Sequence, residues 1–240
     1  MKRVLAGLLV VFIAANAWAL PLIDDFSTGP IFPPFSGPTV PGAVQIPVPT
    51  YGPYVTPMAA PAAWGGMRAW TINTVILAPT DTSQLTVFGG SAAYSNSSTM
   101  QGYMQLGYGS YAGVPQSADW TGVHGLLIKV TGSNGLFTRI TAELTTSGGV
   151  NSVPVASGLL VNAAGTYELP FSLFTAGGGT LTLSNVQGVR LTFSSLVADG
   201  ASTGADITLG SGGILLTPEP TTMLLLGVGL VGLARRRRKS

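Results

Sequence analysis

The histidine and cysteine content of the chain leaves little room for catalysis. The sequence has one histidine, His124, and no cysteine. Nucleophilic catalysis needs a general base beside the nucleophile. The position of His124 next to Gly125, at the start of an expected strand, favours a surface or turn role over that of a base. The missing cysteines exclude disulfides, iron–sulfur clusters and thiolate zinc sites.

The carboxylates are scattered, which argues against a glycosidase. Such enzymes need two converging carboxyl groups, and only Asp24 and Asp25 are neighbours before the C-terminal tail. Adjacent residues of a strand point to opposite faces, so this pair is a poor acid–base couple. Asp25 could instead bind a structural calcium ion together with Asp206, through oxygen ligands. No other cofactor is expected, since no phosphate loop or HExxH pattern is present. We therefore expect no catalytic residues.

Three tyrosines are the candidates for ligand binding. Sugar rings stack on exposed aromatic faces through their apolar C–H surface, and Tyr103, Tyr108 and Tyr111 lie in a Gly/Ser-rich region. The alternative is that these tyrosines fill the core or edge of the fold, as most aromatic residues do. The tryptophans at 64, 70 and 120 flank expected strands and are predicted to be core residues.

Short apolar runs separated by turn residues predict an all-β fold. From residue 65 onward, β-branched and aliphatic runs are interrupted by Gly, Asn and Ser every eight to twelve positions, as in all-β domains. The expected strands are 68–77, 85–88, 103–108, 125–130, 138–145, 153–161, 166–169, 189–193 and 207–215. In 138–145 apolar and polar residues alternate, as in a strand with one buried face. We predict an antiparallel β-sandwich of jelly-roll type over 65–216, preceded over 20–64 by one strand and a proline-rich excursion.

The charge distribution excludes nucleic acid as a partner. Only 8% of the residues are charged, against about 25% in ordinary soluble domains. Most basic residues lie at the two ends, and residues 20–217 carry four basic against eight acidic residues, a net charge of −4. No Lys/Arg cluster in this middle part could follow a phosphate backbone.

The first 19 residues have the pattern of a signal peptide. Lys2 and Arg3 precede an apolar run over 4–15, and Ala17 and Ala19 form a small-x-small cleavage pattern around Trp18. The expected cut is before Leu20. The alternative is a buried helix or a membrane anchor, but the run is shorter than the about 20 residues that span a bilayer.

The C-terminal tail has three parts in a fixed order. A Pro-Glu-Pro segment precedes an uncharged apolar stretch over 221–234, and a basic cluster follows. The segment consists of Pro218, Glu219 and Pro220, and the cluster of Arg235, Arg236, Arg237, Arg238 and Lys239. A helix over 221–234 would be about 21 Å long and would need bilayer thinning to span. The basic cluster places its end on the cytoplasmic side, so the Pro-Glu-Pro segment faces outward in an extended conformation that an enzyme can bind.

This tail resembles that of the PEP-CTERM family of bacterial exported proteins. The matching residues are Pro218, Glu219 and Pro220, the run MLLLGVGL over 223–230, and the arginines at 235–238. The resemblance implies an inner-membrane precursor in a Gram-negative bacterium, and an exosortase, a membrane transpeptidase, as processing partner. It further implies delivery to the cell surface or exopolysaccharide matrix. The alternative is a plain C-terminal anchor that nothing cleaves.

The exported middle is similar to another group, the galactose-binding-type jelly rolls of carbohydrate-binding modules. The similar stretches are DWTGVHGLLIKV over 119–130, YELPFSLF over 167–174, SNVQGVRLTF over 184–193 and the opening strand IDDF over 23–26. Fold alone does not give function. We predict a non-enzymatic structural or matrix protein. The alternatives are a carbohydrate-binding module and, less favoured, a secreted hydrolase.

Overall fold

The computed structural model describes residues 22–27, 58–76, 83–88, 90–175, 177 and 179–218. In these ranges the chain forms thirteen β-strands and five short 3-10 helices, with no α-helix. No helix in this part of the chain is both long and apolar enough to cross a membrane. The signal peptide and the C-terminal helix predicted from the sequence lie outside the described residues.

The strands follow one another closely along the chain. Their bounds are β1 Leu22–Asp24, β2 Met58–Ala59, β3 Met67–Ile76, β4 Ser83–Phe88, β5 Ser91–Asn96, β6 Gln101–Gly109, β7 Val123–Ser133, β8 Thr138–Thr146, β9 Gly149–Ser152, β10 Leu159–Val161, β11 Gly165–Pro170, β12 Val186–Ser194 and β13 Ile207–Pro218.

Two antiparallel sheets share these strands. The six-stranded sheet has the order β11-β7-β13-β5-β4, with β1 pairing beside β13, and the seven-stranded sheet has the order β10-β8-β12-β6-β3-β2, with β9 pairing beside β8. From β10 onward, each connection crosses from one sheet to the other, as do those from β5 to β6, β6 to β7 and β7 to β8. This alternation is the connectivity of a jelly-roll sandwich. The predicted all-β antiparallel sandwich is confirmed.

The core lies between the inward faces of the two sheets. In β8 each second residue is buried, from Thr138 to Thr146, as the alternation in the sequence predicted. Leu126 and Ile128 of β7 and Leu191 of β12 belong to the same buried cluster. An aromatic group is part of this core: Trp120 stacks on Phe171 with ring centroids 5.9 Å apart and packs against Trp64 at 5.1 Å.

Several strand predictions differ from the structure: β2 lies in the region that was expected to be a proline-rich excursion, and β13 runs three residues beyond its expected end at 215. Residues 153–161 do not form one strand, because Pro154 cannot donate to a ladder and introduces a 3-10 helix, Val155–Ser157, before the short β10. Strands β5 and β9 were not predicted, because their sequences SAAYSN and GVNS are poor in the β-branched and aromatic residues that mark strands.

A buried ion pair joins β1 to the seven-stranded sheet. The carboxylate of Asp24 accepts bonds from Arg68 Nε at 2.5 Å and Arg68 Nη2 at 2.7 Å, and the side chains are 0% and 2% exposed. Asp24 Oδ1 also accepts from the backbone N–H of Phe26 at 2.8 Å. Phe26 has a φ of 59°. The Arg68 guanidinium lies over the Phe26 ring, with its Cζ atom 5.2 Å from the ring centroid. The pair links β1 to β3 across the proline-rich stretch.

Candidate functional site

The outward surface of the seven-stranded sheet carries a set of neighbouring polar side chains. We call it the polar face and define it by Tyr103, Gln105, Tyr111, Thr141, Glu143, Arg190 and Thr192. The register places Arg190 between Gly107 and Glu143, and Thr192 between Gln105 and Thr141. All seven side chains are half-buried. Six of them alternate along β6, β8 and β12 with the inward core residues, and Tyr111 lies in the 3-10 helix that follows β6.

Tyr111, Glu143 and Arg190 form one bonded group at the centre of this face. Arg190 Nη2 donates to Glu143 Oε1 at 2.9 Å, and the Tyr111 hydroxyl donates to the same oxygen. The Arg190 guanidinium also lies over the Tyr111 ring, 4.9 Å from its centroid, within the range of a cation–π interaction. Burial, and next the bond to Glu143, raise the pKa of the Tyr111 hydroxyl, so the phenol is a neutral donor at physiological pH.

Two glycines place Tyr111 over the sheet. Gly109 ends β6 with a φ of 65° and is followed by the 3-10 helix Ser110–Ala112, which folds the chain back across the strand. At Gly107 a Cβ atom would lie 2.8 Å from the Tyr111 Cβ, so only glycine leaves room for the tyrosine. The Gly-Tyr-Gly sequence over 107–109 is therefore the signal for this arrangement.

The remaining groups extend the face along the strands. Gln105 Nε2 donates to Thr192 Oγ1 at 3.1 Å. Tyr103 lies four residues before Gly107, about 13 Å along the strand. The face thus combines hydroxyl, amide, guanidinium and carboxylate groups with two aromatic side chains, so it offers both donors and acceptors of hydrogen bonds.

The predicted tyrosines separate into two groups. Tyr103 and Tyr111 share the polar face, whereas Tyr108 is fully buried in the core and its ring cannot reach a ligand. Burial and the nearby Asp24 carboxylate raise the pKa of Tyr108 well above that of a free tyrosine. The alternative that we kept open, a core role, therefore applies to Tyr108.

The two residues predicted to bind calcium lie beside different parts of β13. Asp25 follows β1, whose Asp24 pairs with Ile214, while Asp206 immediately precedes β13. Asp25 Oδ1 accepts from Ser27 N at 2.8 Å, and Asp206 Oδ1 accepts from Asn96 N at 2.7 Å. In the described part of the chain no three His, Asp or Glu side chains come together as a metal site. A calcium ion shared by Asp25 and Asp206 stays a prediction without support from these contacts.

A second polar cluster lies where β13 ends. His124 Nδ1 is 2.7 Å from Glu168 Oε1, and the Thr217 hydroxyl donates to the same oxygen at 2.8 Å. We call these three residues the strand-end cluster. The bond with His124, and then that from Thr217, lower the pKa of Glu168. The sequence singled out only His124, because the three residues come together through the pairing of β7 with β11 and β13.

The sorting residues begin inside the fold. Pro218 is the last residue of β13 and pairs with Val123 of β7. Glu219, Pro220 and the basic cluster at 235–239 lie outside the described residues, as do Ala17 and Ala19 of the predicted signal cleavage site.

Together, the fold and the tail define a β-sandwich with a C-terminal sorting signal. Residues 216–239 match the PEP-CTERM protein-sorting motif. The chain therefore carries the sorting signal of an exported, membrane-anchored precursor, and the resemblance noted from the sequence is confirmed. No functionally curated protein shows significant sequence similarity to the chain.

Among solved structures, carbohydrate-binding modules and an agarase are similar in fold. The family 11 carbohydrate-binding module of a cellulosomal cellulase from Clostridium thermocellum has 16% identity and a TM-score of 0.39, covering 62% of this chain and 88% of the module. The same family's module in complex with a β-1,3-1,4-mixed-linked tetrasaccharide has 18% identity and a TM-score of 0.37, with the same coverage. The agarase AgWH50C has 10% identity and a TM-score of 0.37, covering 62% of this chain and 25% of the enzyme. The site is defined by the residues of this chain alone.

Proposed function

We propose that the chain is the precursor of a non-enzymatic surface or matrix protein of a Gram-negative bacterium, processed at its tail by an exosortase. The observation that carries this proposal is the sorting motif over 216–239, which directly continues a folded β-sandwich. The motif marks the exported protein for processing at the inner membrane. The sandwich is the part that remains after processing.

The chemistry of the described residues supports a non-catalytic role. His124 bonds to Glu168, but the Thr217 hydroxyl donates to Glu168 and not to the imidazole. No nucleophile in the strand-end cluster is therefore hydrogen-bonded to the base. On the polar face, Glu143 is already held by Arg190 and Tyr111, which suits a binding surface better than proton transfer.

Replacing the motif carboxylate tests the proposal. In a host with an exosortase, we expect the wild-type protein in the outer or matrix fraction without its tail. Glu219→Ala should leave the protein in the inner-membrane fraction with the tail intact. Asp119→Ala, which removes an exposed carboxylate elsewhere, is the control and should sort normally. Equal sorting of Glu219→Ala and wild type would contradict the proposal.

The second candidate function is binding of extracellular glycan by the polar face. The observation that favours it is the placement of Tyr103 and Tyr111 on one surface, beside the Gln105, Thr192 and Arg190 side chains. Opposite charges balance at Arg190 and Glu143, so this face suits an uncharged, hydroxyl-rich polysaccharide. An elongated ligand could contact both tyrosines.

Substitution of Tyr111 tests this second function. With the purified exopolysaccharide of the host as probe, affinity electrophoresis should show that Tyr111→Ala weakens binding about ten-fold, because an aromatic contact contributes about 1.5 kcal/mol. Tyr111→Phe keeps the ring and should retain most of the affinity. Tyr167→Ala on the other sheet is the control. No binding by the wild type, or equal binding by all variants, would reject glycan recognition at this face.

A further inference from the structure

The sorting segment overlaps the folded sandwich. The motif match begins at residue 216, and β13 continues through Pro218. Leu216 is a core residue, 3% exposed. Leu216, Thr217 and Pro218 pair with Leu126, Gly125 and Val123 of β7. The first three residues of the segment are therefore part of the sheet.

Few contacts hold this end of β13. Along its other edge, β1 pairs with β13 no further than Leu22 opposite Leu215, so beyond Leu215 the pairing in the described residues is with β7. The register shifts between Thr217 and Pro218, and a proline cannot donate to the ladder. Thr217 is thus the last residue that the sheet holds firmly.

The strand-end cluster fixes that last residue. The Thr217 hydroxyl lies 2.8 Å from Glu168 Oε1 and 3.1 Å from the carbonyl oxygen of Gly125. Glu168 lies on β11, and His124 of β7 holds its carboxylate from the other side at 2.7 Å. Three strands therefore meet at one side-chain oxygen, directly before the Pro-Glu-Pro segment.

The segment between the end of the sheet and the apolar stretch of the tail is short. Two residues, 219 and 220, separate the last residue of β13 from the apolar stretch that begins at 221, which is at most about 7 Å of extended chain. An enzyme that binds an extended segment pairs with its backbone edges, and one edge of residues 216 and 217 is already occupied by β7.

We infer that the strand-end cluster is a latch that limits processing of the precursor. The exosortase can bind the start of its recognition segment only when the last residues of β13 separate from β7. The bonds among His124, Glu168 and Thr217 oppose that separation. This inference rests on the proposed function, because it concerns the rate of the processing step. Glu168 and His124 thereby act as positioning residues from outside the sorting motif.

Pulse-chase labelling of the full-length precursor in an exosortase-containing host tests the latch. Glu168→Ala and Thr217→Val should each speed tail removal about two- to five-fold, the effect of losing an exposed hydrogen-bonded contact on a local opening equilibrium. Thr166→Ala, an exposed residue on the same strand as Glu168, is the matched control and should match wild type. Glu168→Ala is the decisive variant, because residue 168 lies outside the motif.

A second readout does not depend on the enzyme. In the detergent-solubilised precursor, the backbone amides of Leu216 and Thr217 should exchange hydrogen faster in Glu168→Ala by the same factor, while those of Leu191 and Phe193, on β12 of the other sheet, stay unchanged.

The outcomes separate the two claims. Unchanged or slower processing of Glu168→Ala, with wild type processed normally, would overturn the latch and leave the proposed function standing. Absence of processing in every form, wild type included, would overturn both.

Discussion

Asp24→Ala is expected to destabilise the sandwich by about 3–5 kcal/mol. The substitution leaves the Arg68 guanidinium, which is 2% exposed, without its counter-charge in the interior. It also removes the acceptor for the backbone N–H of Phe26, which supports the left-handed conformation of that residue. The free energy of unfolding, measured by urea denaturation of the purified protein, should fall by this amount.

Two controls separate the charge effect from the loss of the side chain. Asp25→Ala removes the neighbouring carboxylate, which is on the surface and bonds to Ser27, and should cost less than about 1 kcal/mol. The double variant Asp24→Leu with Arg68→Met replaces the pair by apolar groups and should recover much of the loss. An Asp24→Ala variant as stable as Asp25→Ala would show that the ion pair does not anchor β1.

Gly109→Ala is expected to cost about 2–4 kcal/mol, because it combines backbone strain with a steric clash. Gly109 has a φ of 65° and a ψ of −125°, a region that residues with a Cβ rarely adopt. The added Cβ would lie 2.3 Å from the carbonyl oxygen of Gln187, so β12 must move away from β6. Thermal and urea denaturation should show the loss, and Tyr111 should leave the polar face.

Gly113→Ala is the matched control at the other end of the same 3-10 helix. Gly113 also has a positive φ, 77°, but no atom lies within 4 Å of the added Cβ. Its cost should be the strain alone, about 1–2 kcal/mol. Equal effects at the two glycines would mean that the contact between β6 and β12 does not restrict residue 109.

The alternation of residue types predicted much of the sandwich, because a strand with one buried face has a period of two. This signal located β8 and most of the central strands. It failed for β5, whose small and polar residues form a strand because β4 and β13 pair with it on both sides, through Leu85 and Ile207 opposite Tyr94. Tertiary pairing of this kind leaves no trace in local composition.

The contacts of the polar face and the ion pair could not be predicted from the sequence. Arg190 and Glu143 are 47 residues apart, and Arg68 and Asp24 are 44 apart, so both pairs depend on strand order and register. Tyr111 could be proposed as an exposed aromatic residue, but its place over Gly107 depends on the reversal at Gly109. The sorting tail was predictable because its three parts are contiguous in the sequence.

The end of β13 belongs partly to the contiguous sorting motif and partly to contacts that depend on the fold. We predicted that the last strand ends at residue 215, yet the strand continues to Pro218. Thr217 extends it by bonding to Glu168, a contact that only the folded sheet brings about. Residues 216–218 therefore belong both to the sandwich and to the sorting motif. We expect the stability of this strand end to influence processing.

The intact mass of the mature protein tests the central claim most directly. The protein is recovered from a host that contains an exosortase and from the same host without it. We expect a product that begins at Leu20 and has lost everything after the Pro-Glu-Pro segment, only when the enzyme is present. A product that keeps residues 235–240 in both hosts would contradict the account, since the tail would then be a simple membrane anchor.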